Sequence, residues 1–135
     1  MRVPRPVPLF IIAAVLCALS ACSWVDRYSE TACQQLLTLR QRHLQFIATA
    51  ATNNERQLEE EDEQIRPLFA QAISQGDALR RDNFKQLEAN YLRIYACRQK
   101  MGTPFTPTET RFLSQQTNYL YQQAIAGERQ RPGRE

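Results

Sequence analysis

TNNERQLEEEDEQIRP, residues 52–67, contains both places at which a long helical pattern could break. Around and through it, apolar residues recur at seven-residue steps: Leu37, Leu44, Ala51, Leu58, Ile65 and Ala72, with Cys33, Leu36, Ile47 and Leu68 beside that line. A period near 3.5 to 3.6 predicts amphipathic helix. Pro67 lacks an amide hydrogen and disfavours helical geometry at Arg66, so one candidate turn lies there. The other is Thr52-Asn53-Asn54, poor helix interior in which Asn54 and Gln57 could cap a new helix. Glu55, Glu59 and Glu60 suit a helix N-terminus better than a C-terminal end. A turn at Pro67 gives three helices and a break at Asn53-Asn54 gives four.

The remaining elements are more plainly marked. Gly76-Asp77 is a helix stop followed by a helix start, and Phe84, Leu87, Tyr91, Ile94, Tyr95 and Met101 form the stripe of the helix after it. Thr106-Pro107-Thr108-Glu109 reads as a capping box with proline at the first helical position. Phe112, Leu113, Gln116, Tyr119, Leu120 and Ala124 supply the buried face of the helix that follows, and Gly127 ends it. No useful strand alternation occurs.

The first residues have the three parts of an export signal. Arg2 and Arg5 make a positive start, Val7 to Leu19 is almost wholly apolar, and Ser20 and Ala21 precede Cys22. The uninterrupted run from Leu9 to Leu19 is shorter than the ~20 residues a spanning helix needs, so it reads as a cleaved signal. Leu19-Ser20-Ala21-Cys22 resembles the lipobox of bacterial prolipoproteins. That resemblance implies cleavage before Cys22 and acylation of its sulfur, with more than one chain for stable anchoring, each buried methylene contributing about 0.8 kcal/mol. Ser23 stands where Asp marks inner-membrane retention in enteric lipoproteins, so the resemblance implies the outer membrane, periplasmic face. The expected organisation is a signal peptide at 1–21, a lipid-anchored linker at 22–28, a helical bundle at 29–126 and a disordered tail at 127–135.

With Cys17 lost in the signal and Cys22 acylated, Cys33 and Cys97 remain, and in an exported chain they read as one disulfide. A bridge needs Cα atoms within about 4.4 to 6.8 Å, which in an antiparallel pair requires both cysteines to be equidistant from the turn. Their midpoint is residue 65, beside Pro67. The expectation is therefore an all-α fold: an antiparallel hairpin of helices 29–63 and 77–101 across a connector at 64–76, plus a third helix at 107–126. A break at Asn53-Asn54 would instead make a four-helix bundle.

Composition narrows the chemistry. The chain carries +3, and 15 basic and 14 acidic side chains follow Ala21, interspersed rather than gathered into a nucleic-acid stripe. His43 is the only histidine and Cys33 and Cys97 are far apart in sequence, so no metal site, cofactor or small-molecule substrate is expected. Glu59-Glu60-Glu61-Asp62-Glu63 would point around a helix rather than converge, as a solvated face. His43 has no neighbouring nucleophile. No catalytic residues are assigned, and no enzyme is expected.

These readings point to a non-enzymatic interaction or assembly module of an envelope complex, held to the bilayer by Cys22 and binding a protein partner. In size, anchor and single disulfide it is similar in architecture to the pilotin lipoproteins of secretion systems. An immunity or exclusion lipoprotein that blocks a toxin or a conjugation component needs the same features. Leu37-Thr38-Leu39-Arg40-Gln41 also matches the Leu-Thr-x-x-Gln signature of periplasmic stress chaperones, in a single copy. A thin three-helix bundle covers its core poorly, so Phe69, Ile73, Phe105, Tyr119 and Tyr121 are the candidate partner-binding residues.

Overall fold

Asn54 decides where the chain turns. Its side chain accepts from the Gln57 amide at 3.2 Å, capping a helix that begins at Glu55, while Ala51 and Thr52 close the previous helix with bonds back to Ala48 and Thr49. The computed structural model describes residues 26–134, so the signal segment and Cys22 lie outside the described residues. Four helices follow: α1 Glu30–Ala50, α2 Glu55–Gln75, α3 Ala78–Met101 and α4 Pro107–Arg129. They run up, down, up and down. α1 packs most extensively against α4 and α2, and α3 lies against α2 and more loosely against α4.

Each start is capped by the residue type that supplies an acceptor to the first free amides. Ser29 accepts from Ala32, Asp77 from Arg80 at 2.8 Å, and Thr106 from Glu109 at 3.1 Å. Gly102 ends α3 at φ +65°, a conformation that is costly for a side chain bearing Cβ, and its amide bonds Arg98. At Gly76 a Cβ would lie 2.9 Å from that of Arg80, so the tight α2–α3 junction needs glycine.

The four-helix arrangement corrects the expected hairpin, and Pro67 is the reason the two differ. It sits inside α2 with its ring exposed. The missing amide forfeits one bond to the preceding turn. Leu58, Ile65, Phe69 and Ala72 nevertheless carry one buried stripe past it, and that burial holds the helix together. The expected disulfide is likewise absent, since Cys33 and Cys97 are both free thiols. With the break at 51–54, α1 and α3 run parallel. Cys33 lies in the first turn of α1 and Cys97 near the end of α3, so they sit on the order of 25 Å apart along the bundle at about 1.5 Å per residue.

The core includes Leu36, Leu39, Phe46, Ile47, Leu58, Ile65, Phe69, Phe84, Leu87, Tyr91, Ile94, Phe105, Tyr121 and Ile125. All its fully buried members fall between Cys33 and Ile125, so the described segment carries its own core. Among the described residues no helix is long and apolar enough to cross a membrane.

Candidate interaction surface

The interior polar groups come first, because their partners show what they are used for. His43 lies on the apolar stripe of α1, fully buried, with Nδ1 3.1 Å from the Tyr121 hydroxyl. The rings of Tyr91, Tyr121 and Phe69 surround it almost perpendicularly at 5.4, 5.6 and 6.4 Å. Burial pushes its pKa down to about 3, so the ring is neutral. Its Nε2 has no hydrogen-bond partner among the described residues. Burial also raises the pKa of Tyr121. Tyr91 donates to Asp62 at 2.5 Å, which adds to a burial effect in the same direction.

The acidic run of α2 divides by direction. Glu61 accepts from Thr49 at 3.0 Å and from Gln45 and Gln57, and Asp62 accepts from Arg66 as well as Tyr91, so both tie helices together. Glu59, Glu60 and Glu63 face solvent.

Two arginine-centred clusters close the ends of the bundle. At one end Arg98, fully buried on α3, donates to the carbonyls of Ala50 and Thr52 at 2.9 and 3.1 Å and to Glu55 at 2.5 Å, while the Phe105 amide reaches Ala50 at 3.0 Å. The α1–α2 and α3–α4 turns are thereby held together. At the other end Arg80 and Glu128 form a buried pair at 2.7 Å. Glu128 also accepts from the Ser29 amide at 2.9 Å, and Arg131 grips Asp77 at 2.6 Å. The Arg131 guanidinium holds the Asp77 carboxyl well below the usual carboxylate range. This corrects the expectation of a disordered tail from residue 127: α4 continues to Arg129, and Glu128 and Arg131 are buried. The apolar poverty of the tail suggested disorder, but ion pairing rather than apolar packing holds it.

The outer surface revises the candidate contact residues. Phe69, Phe105 and Tyr121 are in the core and Ile73 is half-buried, because a fourth helix covers what three would have left open. Tyr119 alone of the five is exposed, at 59%, and Phe112, one heptad earlier on the same face of α4, is 63% exposed. Between Phe112 and Gly127 the sequence carries no Asp, Glu, Lys, Arg or His. Gln115, Gln116, Gln122 and Gln123 flank the two rings in the open. The outward face of α4 is thus an uncharged strip about 22 Å long with two aromatic residues standing out of it. Such charge depletion around large aromatics is the composition of an interface centre. Phe112 was read from the sequence as core, since a helical stripe does not say which of its flanks another helix will cover.

Comparison with protein-family models, curated proteins and solved structures finds no match to this chain.

Proposed function

We propose that the chain is a lipid-anchored lipoprotein of the periplasmic face of the outer membrane. In this reading it acts as a non-enzymatic interaction or assembly module of an envelope complex, of the secretion-accessory type. The observation that carries it is the α4 strip, with exposed Phe112 and Tyr119 on an uncharged face. Burying the exposed parts of the two rings, roughly 200 Å², contributes about 5 kcal/mol before the entropy of association is subtracted. The reading is also supported by the use of the interior polar groups: His43, Glu61, Asp62, Arg80, Arg98 and Glu128 each join one helix or turn to another. The anchor rests on the Leu19-Ser20-Ala21-Cys22 signal.

Crosslinking in the native host, followed by membrane fractionation and mass spectrometry, tests both halves. Wild-type protein should fractionate with outer membrane and capture a protein partner. Phe112→Ser with Tyr119→Ser should keep the membrane fraction and the helicity but lose the partner. Cys22→Ser should release the protein into soluble periplasm or leave its signal uncleaved. A soluble, unacylated wild type would sink the anchor, and undiminished capture by the double variant would sink the docking face.

A further inference from the structure

The bundle end that gathers residue 26 and the end of α4 also carries a groove between α1 and α4 of about 480 Å³. Arg40, Arg129 and Arg134 line it, with Leu37 and Ile125 at its floor and Gln122 and Gln130 at its edge. These three arginines differ from two that lie close by. Arg80 and Arg131 are spent on Glu128 and Asp77, whereas Arg40, Arg129 and Arg134 have no carboxylate within 4.0 Å among the described residues. Arg134 is held over the Tyr28 ring at 5.8 Å. The acid facing this group is Glu30, and its carboxylate already accepts from the Tyr28 hydroxyl at 2.5 Å and the Gln34 amide at 2.9 Å.

We propose that this groove is a binding site for a phosphate group, supplied by an anionic phospholipid headgroup or by a soluble phosphate ester. Guanidinium forks match the oxygens of phosphate bidentately, and a partly walled groove strengthens the attraction over that of open surface. Position favours the headgroup. Cys22 precedes Asp26 by four residues, at most about 14 Å of extended chain, so an acylated Cys22 would hold this end of the bundle at the bilayer surface. That part of the argument rests on the anchored reading proposed above; the arginine groove does not. Occupied, it would fix which side of the bundle faces the membrane and leave the outward face of α4 open to a protein.

The test uses residues 22–135 carrying Cys22→Ser, so that no acyl chain contributes. Binding is measured to vesicles of phosphatidylcholine with and without phosphatidylglycerol, and separately to glycerol phosphate by the arginine side-chain resonances. Each arginine near an anionic surface is worth about fivefold in affinity, so Arg40→Gln, Arg129→Gln and Arg134→Gln together should weaken vesicle binding about a hundredfold. Arg81→Gln, Lys85→Gln and Lys100→Gln, exposed on α3, should change it little. Vesicle binding assigns the headgroup as source, and a response to glycerol phosphate alone assigns a soluble ester; either supports the site. Overturning results are equal losses in the two triple variants, wild-type binding by the groove variant, or no response to vesicles or to glycerol phosphate. Failure of the anchor would appear in fractionation and leave this measurement untouched.

Discussion

Lowering the pH from 7.5 to 5 should destabilise the bundle through one residue, His43. In the unfolded chain its imidazole titrates near the ordinary 6.5, whereas burial in the folded state pushes it down to about 3. A depressed histidine pKa means the unfolded state binds the proton more readily. The contribution of neutral His43 is therefore complete above pH 6.5 and is lost as pH falls toward 3. From that separation the loss at pH 5 is about 2 kcal/mol, or about 10 °C in melting temperature for a domain of this size. The window is unusually clean because the chain has one histidine. Asp77 and Glu30, whose carboxyls are held below their usual values by hydrogen bonds, give up their contributions only at lower pH. Calorimetry across pH 5 to 7.5 measures the slope in wild type and in His43→Gln, which retains a polar side chain for Tyr121 but cannot titrate. The variant should be less stable throughout yet nearly flat in this range. Parallel pH slopes for the two proteins would refute the assignment.

Arg98→Met should lower stability by about 3 kcal/mol in chemical denaturation, since it strips the bonds to the Ala50 and Thr52 carbonyls, while Glu55→Gln, whose carboxylate is half in solvent, should cost much less. In unreduced native protein, thiol labelling should modify exposed Cys97 rapidly and buried Cys33 only on unfolding, and added reductant should leave the melting temperature unchanged. Finding no free thiol after denaturation would contradict the pairing state described here.

The third and fourth helices were legible to within a few residues, because Gly76, Asp77, Thr106 and Pro107 act locally: the side chains of Asp77 and Thr106 accept from amides three positions on, while Gly76 fits the tight junction and Pro107 needs no amide partner at the first helical position. The first half was harder. The heptad line from Leu37 to Ala72 is the true buried stripe only from Leu58 onward; before the break the inner face is Leu36, Leu39, His43, Phe46, Ile47 and Ala50, with Leu37 and Leu44 on its margin. The four-residue interruption at 51–54 resets the phase between two helices, while the letters on either side happen to keep a step of seven. Asn54 and Gln57 did carry the signal for that break. An assumed cysteine pairing, which no local rule encodes, weighed against it and pulled the turn to Pro67. His43 was not read as interior, although it stands four after Leu39 and four before Ile47 on the buried face. The pairs Arg80 with Glu128 and Arg98 with the Ala50 carbonyl join positions 48 residues apart, and nothing local announces them.

The hydrogen bond from the Tyr28 amide to the Pro132 carbonyl, 3.0 Å long, brings the first and last parts of the described chain to one point. Topologically the bundle is then almost a closed ring of four helices, cut once beside the Arg80–Glu128 pair. The order of the helices along the gene would matter little to their packing. A chain joined across residues 28 to 132 and reopened in the exposed turn at Thr52-Asn53 would present the same core from the same neighbours. What the native cut determines is direction: both ends of the described segment, residues 26 and 134, lie at the clamped end, opposite the Arg98 turns.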